Sequence, residues 1–261
     1  MEKRGQVTTF IIVGIVALIV VILLFSLKDS LLIKIGGEKA AQDYLKGQMK
    51  GIEDEIGDCA TKESNDVLVL IGKQGGYIES VDSVSYNLAD VAVLCNDILD
   101  TNNCLNNGLF SSDVENELNV YLKDKLKECI NLRKFKEGFK SYDYELKYDI
   151  NTLDVETMVN KDDVLFKVKL PVEVSKDEIK FEKDEFAKKV NIPLGGILDV
   201  VNDILNSEAS SGDFDIVGYS MNHLNENEIT MTWRSSNKIY VIKPVDGDYI
   251  FQFAIRGENE I

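Results

Sequence analysis

YELKYDI (144–150) and VLFKVKLPVEV (164–174) are the two stretches on which the reading of this fold turns. In the first, Tyr144, Leu146, Tyr148 and Ile150 alternate with polar residues. In the second, Val164, Phe166, Val168, Leu170, Val172 and Val174 do the same. A side-chain period of two places every apolar residue on one face of an extended chain, so both read as half-buried strands. NKDD (160–163) supplies the turn before the second. Working toward the C-terminus, Ile197, Val200, Val201, Ile204 and Leu205 return to helical spacing, which predicts a helix over 194–206. FDIVGYSM, EITMTW, KIYVIKPV and YIFQFAI then read as three or four closing strands. NENE, SSN and DGD between them have hairpin-turn chemistry.

Upstream of Phe139 the period is 3.6. Leu31, Leu32 and Ile35, then Tyr44, Leu45 and Met49, then Ile52 and Ile56 share a helix face, with Gly36 and Gly37 as a kink or hinge. DVLVLI (66–71) fits a helix end or a strand. GKQGGYI (72–78) reads as a helix stop with a left-handed glycine. Leu88–Leu99 reads as a short helix and LDTNNCLNNG as a loop. Ser112 or Asp113 caps an amphipathic helix whose apolar face is Val114, Leu118, Tyr121, Leu122, Leu126, Cys129 and Ile130. The expectation is an α+β fold: a helical part with four cysteines over 31–140, then an antiparallel β-rich domain over 141–261 with one or two helices.

Residues 1–30 are different in kind. From Val7 to Leu27, VTTFIIVGIVALIVVILLFSL carries no charge across twenty-one residues. As a helix it is about 31 Å long, the thickness of a bilayer's hydrocarbon core. A cleaved secretory signal would have a shorter apolar core and a small-residue cleavage pattern after it, and SLKDSLLIKIGG offers none. Lys3 and Arg4 precede the run, while Lys28 and Asp29 cancel behind it, so the positive flank predicts a cytoplasmic N-terminus and an extracytoplasmic remainder. The expected partner of this segment is the lipid bilayer.

The chain carries 29 Lys+Arg against 45 Asp+Glu, a net charge of −16, and the excess acid lies beyond residue 30. Such a surface repels phosphate backbones, which argues against nucleic acid. Cys59, Cys95, Cys104 and Cys129 all fall in the expected extracytoplasmic part. Their even number fits a disulfide framework, and no C-x-x-C pair supports zinc. Of the three pairings, the favoured one joins Cys95 to Cys104, closing the DTNN loop, and Cys59 to Cys129, tying one helix to another.

At KRGQVTTFIIVGIV (3–16) the chain resembles the class III signal of archaeal type IV prepilins, in which a basic residue and glycine precede a glutamine and the apolar helix comes at once. The resemblance implies peptidase cleavage between Gly5 and Gln6 and self-assembly through the N-terminal helix. Phe10 stands at the fifth position of that mature chain, where bacterial pilins carry glutamate. Cys59, LVLIGKQGGYI (68–78) and Cys129 are together similar to anchored surface proteins of archaea.

Other motifs fail on spacing. GKQGG lacks the pattern of a phosphate loop. Ser220 in GYSMN lacks the second glycine of a nucleophile elbow. His223 is the single histidine and reads as an ordinary surface residue, so a histidine-dependent triad has little to draw on. Asp162/Asp163, Asp213/Asp215 and Glu226/Glu228 do not match an EF-hand and read as solvated turns. No cofactor or metal site is expected. Two functions stand: a non-enzymatic, membrane-anchored surface protein, structural or adhesive and of pilin-like kind, or an anchored enzyme working through two carboxylates.

Overall fold

A computed structural model of the protein describes residues 37–80, 82–97, 104–140, 144–224 and 226–256. The expected span Val7–Leu27, the processing pair Gly5 and Gln6, the Gly36 hinge and the DTNN loop lie outside these. No helix among the described residues is long and apolar enough to cross a membrane. The fold is α+β and divides into two compact units.

The smaller unit takes α1 (Gly37–Gln74) as far as Ile52, most of α3 (Arg133–Lys140), most of β4 (Glu145–Tyr148) and the facing ends of β6 (Val164–Lys176) and β7 (Ile179–Val190). Leu45, Met49 and Ile52 recur at helical spacing and are buried. Tyr44 stacks on Tyr144 at 4.9 Å between centroids, and the Lys176 ammonium lies 4.5 Å from the Tyr144 ring. Hydrogen bonds from Lys147 and Lys180, each at 3.1 Å, hold the Glu173 carboxyl down to about 2.

In the larger unit α1 continues its stripe through Ile56, Cys59, Ala60, Val67, Leu68 and Ile71, all buried. DVLVLI is thus a helix end. Gly75 comes next at φ 73°, and the Gly76 N–H donates to Ile71 O at 2.9 Å, the glycine-dependent stop that GKQGGYI implied. Gln252 Nε2 covers a last carbonyl of α1, at Lys73, from the sheet side.

That sheet has six strands in the order β1 (Ser83–Tyr86), β2 (Ala89–Asp97), β10 (Phe251–Arg256), β9 (Asn237–Pro244), β8 (Asn227–Arg234), with β3 (Cys104–Asn106) also on β2. Here two expectations are corrected. Leu88–Leu99 is not a helix, because Ala89–Asp97 forms β2, and part of the expected loop is β3. The region 31–140 is accordingly not helical throughout. Val91 to Cys95 are all buried, so β2 is a central strand with no polar alternation to betray it. It pairs β10 in parallel, which makes the sheet mixed rather than antiparallel. Val91, Val93, Ile239 and Ala254 form the core of one face, with the β1–β2 hairpin packed against it through Val84, Tyr86 and Ala89.

The remaining elements are α2 (Ser111–Cys129), a short 3₁₀ turn (Ile150–Thr152), β5 (Asp154–Val159), α4 (Leu194–Ser211) and α5 (Ile216–Asn222). A third correction falls on FDIVGYSM: it is no strand, because Asp215 accepts the Gly218 N–H at 2.9 Å and so opens α5. EITMTW, KIYVIKPV and YIFQFAI do form strands, as β8, β9 and β10. α2 starts at Ser111, and Asp113 acts from inside its first turn, accepting from the Phe110 N–H at 3.3 Å. A second sheet, in the order β4–β6–β5 with β7 also on β6, holds both YELKYDI and VLFKVKLPVEV.

α2 lies along β5, the end strand of that second sheet. Asn119 Oδ1 accepts the Thr157 N–H and Glu115 Oε1 accepts the Val159 N–H, both at 2.8 Å. Alternate amides that face away from β6 thus find acceptors on the helix. At the end of the six-stranded sheet, β8 pairs with β9 in unbroken register from Asn227↔Pro244 to Arg234↔Asn237 and, among the described residues, with no other strand.

Candidate functional site

The turn 160–163, helix α4 and helix α5 together build an acidic cleft. α4 exists because Leu194, Ile197, Leu198, Val201, Ile204 and Leu205 form one buried stripe. Its first N–H groups are satisfied by the turn: Gly195 and Gly196 each donate at 3.1 Å, to Asn160 O and Lys161 O. A side chain at 195 would place its Cβ 2.6 Å from Asn160 O, so only glycine permits this approach. The turn thereby faces the outer side of α4, where Asp199 and Asp203 stand one helical turn apart.

Lys161, Asp162, Asp199, Asp203, Tyr219, His223 and Glu226 line a cleft of about 620 Å³. The Tyr219 hydroxyl donates to Asp203 Oδ2 at 3.2 Å. Burial, then the Asp203 charge and this bond, push the Tyr219 phenol up to about 12. His223 closes α5, stacking on Tyr219 at 4.1 Å between centroids with its Nδ1 3.0 Å from Tyr219 O. The expected surface histidine therefore forms part of an aromatic wall. Asp162, Asp199, Asp203 and Glu226 set four carboxylates beside that wall, a lining suited to hydroxyl or amino donors and to cations. No group of three or more His, Cys, Asp or Glu among the described residues could hold a metal ion.

The other acidic pairs separate. Asp163 is held by Lys189 at 2.6 Å, and that bond, with one from Asn160, lowers its pKa. Asp215 caps α5. Glu228 is exposed on β8. Ser220 sits on α5, and GKQGG is the helix stop at the end of α1.

A buried cluster at the far end of α4 carries no signal in the sequence. Glu208, which is 2% exposed, accepts from Lys238 Nζ at 2.9 and 2.7 Å and from the Tyr240 hydroxyl. The third Lys238 proton reaches Gly212 O at 2.6 Å, where α4 ends in a left-handed glycine. Burial first, then the Glu208 bond and charge, drive the Tyr240 phenol well above its ordinary value. Every donor of the ammonium is used, so the cluster ties α4 to β9 and offers no free group to a ligand.

The structure joins Cys59 to Cys129 with Cα atoms 6.0 Å apart and Cys95 to Cys104 at 5.4 Å, and no cysteine among the described residues is free. These are the pairs favoured from the sequence. Comparison with known protein families, with characterised proteins and with solved structures finds no match.

Proposed function

We propose that this chain is a membrane-anchored protein of the extracytoplasmic face, with Val7–Leu27 as its single span, serving as a structural or adhesive surface protein of pilin-like kind. The observation that carries the reading is the pair of disulfides downstream of the apolar run. Disulfides form and persist in oxidising compartments, and an apolar run behind Lys3 and Arg4 delivers the chain beyond it to such a compartment. Self-assembly through the N-terminal helix would require processing between Gly5 and Gln6, which removes both basic residues.

Protease added to intact cells should degrade everything beyond residue 30, and a fragment protected until the membrane is breached would overturn the reading. N-terminal sequencing from native membranes should begin at Gln6 if the chain is processed for assembly. A start at Met1 or Glu2 leaves a permanent anchor and removes the filament.

The acidic cleft favours a second reading, an anchored enzyme acting on a polyhydroxylated substrate through two carboxylates. Chromogenic aryl glycosides test it. Turnover abolished by Asp199→Asn or Asp203→Asn supports it, and no turnover across the panel removes it.

A further inference from the structure

We propose that β8 is a docking edge for a second copy of this chain, pairing antiparallel with its own equivalent about a two-fold axis through Met231. The strand, NEITMTWR, ends its sheet with an unbroken register and contains neither proline nor glycine. Thr230, Thr232, Trp233 and Arg234 are exposed along it. Such an edge offers a row of unused backbone donors and acceptors, and proteins ordinarily cover, shorten or break it.

The sequence of the strand selects the occupant. In an antiparallel pair, residues directly opposite lie on the same face. With Met231 on the axis, Glu228 of each copy stands opposite Arg234 of the other, so two ion pairs flank the centre. Thr230 meets Thr232 on that same face. On the opposite face Ile229 meets Trp233 and Met231 meets itself. Cross-strand pairs of opposite charge, of threonines and of an aromatic with a β-branched residue are all favourable.

Within each copy Glu228 lies across from Lys243 on β9, so the new pairing would extend a row of alternating charge. Among the described residues Glu228 has no ion-pair partner, while the Arg234 guanidinium rests 5.6 Å from the Tyr86 ring. Centring on Thr232 leaves Glu228 facing nothing on the strand. Centring on Thr230 sets Arg234 against Glu226, which lies beyond the strand and lines the cleft. Only the Met231 register matches both charges within the strand, and the match survives a net charge of −16 because it is local.

The test uses the full chain in detergent micelles with a short bismaleimide. Met231→Cys places the single free thiol of each copy at the axis and should give a covalent dimer. Glu228→Cys, whose two copies would stand about 20 Å apart along the strand, should not. Glu228→Arg opposes like charges twice and should weaken dimerisation about tenfold or more, although it lowers the overall acidic charge. The double variant Glu228→Arg/Arg234→Glu keeps the net charge and should restore the wild-type yield. Retained disulfides and an unchanged circular dichroism spectrum establish that each variant folds. No dimer at Met231→Cys, equal cross-linking at Glu228→Cys, or a double variant as weak as the single one would each overturn the proposal.

Discussion

Two of the strands that end sheets in the larger unit, β5 and β8, are finished in opposite ways. β5 is roofed by α2, whose Asn119 and Glu115 take up its Thr157 and Val159 amides. β8 pairs, among the described residues, with a strand on one side only. An exposed backbone amide loses little by facing water, whereas a covered one needs a partner on the covering element. The roofed edge has therefore committed its backbone groups inside the fold. The open edge keeps its own available, and its side chains are arranged as a self-complementary set.

That contrast can be broken in four ways, taken from the largest effect to the smallest. Lys238→Met strips the counter-charge from buried Glu208 and loosens β9, the strand that β8 pairs with. Unfolding by denaturant should show a loss of about 3–5 kcal/mol at neutral pH. Replacing Cys59 and Cys129 by alanine frees the end of α2 from α1 and so frees the roof of β5. The cost should be about 2–4 kcal/mol, with faster hydrogen exchange at Thr157 and Val159 than along β9. Asn119→Ala or Glu115→Ala leaves one β5 amide without its acceptor and should cost about 1–3 kcal/mol each, while Thr230→Ala on the open edge should change stability by no more than about 0.5 kcal/mol. Equal costs at the two edges would end the comparison. Thr157→Val is the smallest case. The Thr157 hydroxyl is buried without a partner among the described residues, so an apolar isostere should raise stability by about 1 kcal/mol.

A physical line divides the elements the sequence disclosed from those it hid. β6 and β8 to β10 were legible because alternation or hairpin chemistry marks them locally. Cys59 and Cys129 were pairable because each reads as part of a helix, and a bridge between them ties one helix to the other. β2 was hidden by its position at the centre of the sheet, where Val91, Leu94 and Cys95 also match helical spacing and no polar residue interrupts. α5 was hidden because Phe214, Ile216 and Gly218 imitate alternation, while the deciding Asp215 cap is a single side-chain bond. The cleft was illegible for another reason. It draws Asp162, Asp199, Asp203 and Glu226 from separate segments of a chain with 45 acidic residues. Only the spacing of Asp199 and Asp203 on one helix face hinted at it. Strand order, and hence which edges are roofed, belongs to tertiary structure alone.

The bond between Cys59 and Cys129 also governs how the molecule behaves under tension. Pulled between α1 and β10, the chain transmits force straight across the sulfur bridge, and the 70 residues of separation between the two cysteines stay slack. About 230–250 Å of contour length is thereby withheld from extension. β1, β2 and β3 lie inside the withheld loop and cannot be drawn out in line, while β8, β9 and β10 lie outside it and can. A chain tugged from its far end would yield at its last strands and recoil onto a preserved template. Reduction of that one bond would release the stored length in a single step.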